Sequence, residues 1–156
     1  IFEAKRIPTL LKDNINGVPS DSLKIEKEFF KVYSASMGNP HMVVYFSDIS
    51  LVDFESLGSK FESHYTFPSR TNVHFAQIID ESNIKILVWE RGCGATLACG
   101  TGACAVMAIT YKLGLCKDNV NVKLKGGNLD ISWKGDSQPI YMKGPANEIF
   151  KGNFQL

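Results

Sequence analysis

Between Gly100 and Leu113 the chain reads Gly-Thr-Gly-Ala-Cys-Ala-Val-Met-Ala-Ile-Thr-Tyr-Lys-Leu, and its middle residues are small or apolar on every side of a helix. Such a helix has no face to offer to water, so other parts of the chain must cover it all round. Leu113-Gly114 supplies its stop. The covering has to come from strands, because strand signals dominate elsewhere. His41 to Phe46 and Ile84 to Trp89 are short, β-branched and aromatic. Val120 to Leu124 and Leu129 to Trp133 alternate cleanly across Lys125-Gly126-Gly127-Asn128, which predicts a hairpin. Further strands are expected at Lys31 to Ser34, Val73 to Ile79 and Ile140 to Lys143. Ile49 to His64 reads as a second helix, capped by Asp48, Ser50 or Asp53 and ending before Pro68. The fold class that follows is α+β, with a mainly antiparallel, curved sheet wrapped around a central buried helix.

The same helix carries the chemistry. Cys99 precedes Gly100-Thr101-Gly102, so one thiol sits where a Gly-rich turn enters the helix. Unpaired backbone N–H groups and the helix dipole stabilise an anion there, and they lower a thiol's pKa from about 8.5 toward neutrality. They also suit a substrate carboxylate. Glycines at 100 and 102 weaken a helix and make most sense where a backbone must approach a ligand closely.

Other readings of this region are poorer. Cys93, Cys99 and Cys104 fit no zinc-knuckle spacing and have no histidine among them, so no metal is expected. Gly100-Thr101-Gly102 lacks the Lys-Ser/Thr of a phosphate loop. Cys104 and Cys116 read as small buried hydrophobes and Cys93 as structural. His64 and His74 have no evident partner and are expected to be solvated or satisfied. Asn39 with His41, and Asn72 after Arg70-Thr71, sit at turns that open strands. Glu90-Arg91 closes a strand just upstream of Cys99, where the pair is expected to project toward the thiol.

Seventeen Lys and Arg against sixteen Asp and Glu give a formal charge of +1, with no basic stripe or acidic tail to attract nucleic acid or a membrane. Four cysteines crowd into one quarter of the chain, which fits reduced thiols in a cytoplasmic setting better than a disulfide framework. The 156 residues, 44% hydrophobic, suffice for one cored domain. Ile1-Phe2-Glu3 begins without Met and looks like mid-protein strand or loop, as in a fragment or processed product.

Met37-Gly38-Asn39-Pro40-His41, Arg70-Thr71-Asn72-Val73, Glu90-Arg91-Gly92 and Ala98-Cys99-Gly100-Thr101-Gly102-Ala103-Cys104, in this order and spacing, resemble the C-terminal half of diaminopimelate epimerases. Tyr141-Met142-Lys143-Gly144-Pro145-Ala146 fits as well, and the resemblance covers essentially the whole chain. It implies a cofactor-independent isomerase of lysine and peptidoglycan-precursor biosynthesis. In that family two cysteines invert the α-carbon of LL-diaminopimelate to give the meso form. On this resemblance Cys99 is one of the two bases. Glu90 and His41 stand beside the thiols, Asn39, Asn72 and Arg91 bind substrate, and Gly100 and Thr101 grip its reacting carboxylate.

The family's other cysteine belongs to an N-terminal half with a Cys-Gly-Asn-Gly-like segment, and nothing of that kind precedes Cys93. The expected organisation is therefore a lobe over residues 1–145 and a terminal strand, 146–156, that returns to an N-terminal lobe. The chain by itself is expected to be inactive. Its expected partners are that lobe, an amino-acid substrate and, where the enzyme dimerises, a second copy. Ala95 stands where the family usually has Glu, which bears on substrate preference. A racemase of another amino acid and a non-catalytic binding lobe are the alternatives.

Overall fold

Turns of two or three residues join most of the strands to their neighbours, so the sheet grows largely in chain order. A computed structural model describes residues 1–2 and 7–155. Glu3 of the opening segment and Leu156 of the expected terminal strand lie outside the described residues, and residues 146–155 form no strand or helix. The strands are β1 (Asp13–Ile15), β2 (Val18–Ile25), β3 (Glu28–Ser36), β4 (Pro40–Tyr45), β5 (Asn72–Asp80), β6 (Asn83–Glu90), β7 (Gly94–Thr96), β8 (Asn119–Leu124), β9 (Gly127–Ser132) and β10 (Tyr141–Lys143). The helices are α1 (Phe54–Glu62) and α2 (Gly100–Lys112). All ten strands form one sheet in the order β1-β2-β3-β4-β5-β6-β8-β9-β10, with β7 also paired to β6.

Two pairings are parallel, β4 with β5 and β6 with β8, and each is bridged by a helix. Both crossovers step the same way along the sheet, but β5 runs antiparallel to β6, so the second pair points opposite to the first. Right-handed crossovers of opposed strand direction land on opposite faces. The packing agrees: α2 and Val43, Ala76, Ile84, Ile86 and Val88 form one apolar cluster. Phe61 of α1 packs with Met42, Val44, Val73 and Phe75 in the other. Helices on both faces explain why β4 is buried from Pro40 to Val44 instead of alternating. The expected α+β sheet around a central helix is present, and α2 is buried at Gly102, Ala103 and from Ala105 to Thr110.

The strands expected at 31–34, 41–46, 73–79, 84–89, 120–124, 129–133 and 140–143 are all found, with ends shifted by a few residues. The hairpin turn at 125–128 is tighter than expected, because Leu124 pairs directly with Gly127. The single helix expected over 49–64 is two elements. Asp48 caps a short 3-10 turn at Ile49–Leu51 by accepting the Ser50 N–H. Val52 then turns extended, and Asp53 accepts the Ser56 N–H to start α1 afresh. Both aspartates are caps, and the second restarts the chain at an angle that drives Phe61 into the core.

Three strands fall outside the expectation: β1, β2 and β7. Asn16-Gly17, with φ of 53° and 84°, turns β1 into β2. Among the described residues no helix is long and apolar enough to cross a membrane.

Gly58 of α1 packs directly on β6, since a Cβ there would stand 2.5 Å from Trp89 Cδ2. Gly58→Ala is expected to cost about 1–3 kcal/mol by forcing the indole aside, read as a lower urea midpoint with an unchanged m-value.

Candidate active site

Cys99 is the N-cap of α2, in extended conformation (φ −144°, ψ 108°), and its Sγ accepts the Gly102 N–H at 3.3 Å. Thr101 Oγ1 lies 3.5 Å from the same sulfur. The backbone N–H groups of Gly100 and Thr101 have no acceptor among the described residues, as expected for a first helical turn. Cys99 as a residue is 9% exposed, and Ala98 and Thr101 beside it are exposed.

Three contacts hold this turn in place. Gly126 N–H, in the β8–β9 turn, donates to Leu97 O at 2.8 Å and pins the approach to Cys99. Met142 of β10 lies over Gly100, its Sδ 3.1 Å from where a Cβ would be. Beneath, the His74 ring meets Gly102 with Cε1 nearest; a Cβ there would stand 2.7 Å from Nε2 and 2.9 Å from Nδ1. Only glycine fits, so the second glycine of the motif serves a side chain of this protein as well as any ligand.

His74 is not the solvated or satisfied residue expected. It is wholly buried, its Nε2 is 2.9 Å from His41 Nδ1, and its own Nδ1 has no partner among the described residues. His41 is equally buried, and its Nε2 is 2.9 Å from Asn39 Oδ1. Burial, with the charge of Arg91 adding to it, lowers the His41 pKa to about 4. Burial and then His41 hold His74 well below the usual histidine value. Both rings are therefore neutral near pH 7. The pair meets because the parallel register sets Val43 opposite His74, placing positions 41 and 74 diagonally on one face.

Asn72, the register partner of His41, ties the start of β4 to the turn after β6. Its Nδ2 donates to Pro40 O at 2.8 Å and its Oδ1 accepts the Arg91 N–H at 3.0 Å. Arg91 is exposed and its Nη1 donates to Ser69 O at 3.1 Å. Glu90 is half-buried at the end of β6, and its carbonyl accepts the Cys93 N–H at 3.0 Å. Neither Glu90 nor Arg91 makes a hydrogen bond or ion pair with Cys99 among the described residues.

The sequence reading passes over Glu62, the buried carboxylate that fixes this corner. Its Oε2 accepts the Trp89 indole N–H at 2.8 Å, and its Oε1 accepts the Gly92 N–H at 2.9 Å with Arg70 Nη1 at 3.5 Å. Burial pushes its pKa up, but these donors outweigh it and hold the carboxyl below its ordinary value. Spacing alone could not find it, since Glu62 reads as one more polar residue of an amphipathic helix.

Of the other thiols, Cys104 and Cys116 are half-buried, and burial pushes them up to about 11 and about 12, as suits small hydrophobes. Cys93 is exposed in the turn after β6, so no packing role holds it there. His64 is satisfied by Thr66 Oγ1 at 2.9 Å. Among the described residues no three His, Cys, Asp or Glu side chains gather as metal ligands.

A family model described as diaminopimelate epimerase matches residues 33–149. Diaminopimelate epimerase of Prochlorococcus marinus (strain NATL1A) is 51% identical over 150 residues, covering 96% of this chain and 53% of the relative. That of Acaryochloris marina (strain MBIC 11017) is 41% identical over 151 residues, covering 97% of this chain and 53% of the relative. The chain thus spans about half the length of the curated relatives it matches. A phenazine biosynthesis protein of the PhzF family from Enterococcus faecalis has a similar fold, with a TM-score of 0.50 at 12% identity over 62% of this chain and 35% of its own.

Glu62→Ala strands the Gly92 and Trp89 donors and is expected to cost about 1–3 kcal/mol near pH 7. A carboxyl held below its unfolded value stabilises above about pH 4.3, and that stability is lost as pH falls through the folded pKa. The gap between wild type and variant should therefore narrow as urea midpoints are measured from pH 7 down into that range.

Proposed function

This chain belongs to the diaminopimelate epimerase family, and on that premise we propose that it forms one lobe of an epimerase converting LL-diaminopimelate to the meso form, with Cys99 as one of two bases. The observation that carries the proposal is a thiol capping α2 beside two N–H groups that have no acceptor among the described residues. In one direction the Cys99 thiolate takes the α-proton: the Cα–H bond breaks and an S–H bond forms. A second cysteine, on the lobe this chain does not contain, gives its proton to the opposite face of the carbanion. In the other direction the roles exchange.

An α-proton is weakly acidic, so the step needs fixed donors where charge gathers on the carboxylate. Gly100 and Thr101 N–H supply them. Arg91 and the remaining N–H of Asn72 suit the distal carboxylate, while Glu90 suits the distal ammonium and assists proton movement at the thiol. Asn39 contributes its amide. His41, with both ring nitrogens occupied, acts through Asn39 and not by direct contact. The reaction written this way calls on no cofactor.

Residues 1–145 form the lobe, and 146–156 pack on its partner. In support, Ile149, Phe150 and Phe154 are 91%, 83% and 87% exposed, far more apolar surface than a short tail leaves in water unless something covers it. The four free thiols suit a reducing compartment, and we place the protein in the cytoplasm.

The test uses the complete protein in deuterated water with LL-diaminopimelate and, separately, other L-amino acids. Wild type should exchange the diaminopimelate α-proton, Cys99→Ser should lower turnover about a hundredfold or more, and Cys116→Ser should match wild type. Full activity of Cys99→Ser, or fast turnover of another amino acid without exchange of diaminopimelate, overturns the assignment.

A further inference from the structure

We propose that His74 is a positioning residue whose hydrogen bond to His41 fixes the direction of a three-member chain, so that Asn39 presents its amide N–H groups, and not its oxygen, to the substrate. The inference rests on the reading of Asn39 as a substrate-binding residue.

The direction follows from what each atom can donate. Asn39 Oδ1, 2.9 Å from His41 Nε2, is an acceptor only, so Nε2 carries the hydrogen. A neutral His41 ring then has a bare Nδ1. His74 Nε2, 2.9 Å away, must carry the hydrogen of that bond. This leaves His74 Nδ1 bare, and that atom is buried with no partner among the described residues.

Reversing the chain moves the orphan from a lone pair to a buried N–H. Unpaired acceptors are tolerated in protein interiors more often than unpaired donors, so the orphan itself selects the direction. Gly102 closes the alternatives for the ring, because the imidazole is pressed against the first turn of α2. The result is a relay of orientation: His74 donates to His41, His41 donates to Asn39, and the Asn39 nitrogen, with no protein acceptor among the described residues, points its hydrogens outward.

An amide held this way selects an anionic oxygen over a donor such as an ammonium. Without His74 the His41 ring is free to change tautomer, and an amide flip exchanges donor for acceptor at the substrate.

The complete protein labelled with 15N-histidine and free of substrate tests the direction at pH 7 by long-range 15N–1H correlation. His41 and His74 should both read as neutral rings protonated at Nε2. A His41 ring protonated at Nδ1, or at both nitrogens, overturns the proposal whether or not diaminopimelate is the substrate. In kinetics, His74→Leu should lower kcat/KM about tenfold, mostly through KM. His74→Gln, which keeps an N–H donor near the same place, should recover activity to within about threefold. Equal losses in both variants, or none in His74→Leu, overturn it as well, and the tautomer measurement on wild type decides the case if His74→Leu fails to fold.

Discussion

A helix without a polar face has to be enclosed, and the enclosure of α2 organises the rest of this molecule. Its buried run from Ala105 to Thr110 is covered by one face of the sheet, with β3, β4, β5, β8 and β9 all in contact with it. The hydrophobic effect supplies the drive, at roughly 25 cal/mol for each Å² of apolar surface removed from water. The functional consequence is positional. Because the body of the helix cannot shift without uncovering apolar surface, its first turn is anchored, and Cys99 with it. Gly102 shows how little slack there is: the His74 ring occupies the space a methyl group would need.

The pieces of the sheet were legible in the sequence wherever one strand alternated or ran apolar between turn residues, as at 84–89 and 120–133. The misses have physical causes. β2 begins Val18-Pro19, and proline hides a strand in which the ring sits opposite Asn14 of a three-residue edge strand. Asn16-Gly17 signals a hairpin, but the segments flanking it carry too few apolar residues to read as its arms. β7 contains Gly94 and is three residues long, paired with the end of β6 and packed beside α1.

For the site, the local features were legible and the long-range ones were not. A cysteine before Gly-Thr-Gly announces a helix N-terminus, because capping is a matter of a few adjacent residues. The His41–His74 contact depends on a parallel register across 33 positions, and Glu62 reaches the 89–92 corner across 27 and 30 positions. Periodicity describes which face a residue occupies and says nothing about which strand lies alongside. The same limit explains why Asn72, found as a turn residue, proved to be a tie between the Pro40 and Arg91 loops.

The electrostatics of the site follow from using neutral groups in the interior and charge at the rim. Two imidazoles beneath α2 would oppose the helix dipole if protonated, since a cation at a helix N-terminus is disfavoured. Burial removes that conflict by keeping both rings neutral, with His41 at about 4. As neutral rings they act as oriented dipoles, and an oriented N–H costs nothing to reorganise when charge develops on a ligand. Arg91, exposed at the end of β6, carries the full positive charge where water still screens it. The backbone N–H groups of Gly100 and Thr101 and the Arg91 guanidinium are donors, and on the function proposed here they and the Asn39 amide serve the substrate's carboxylates.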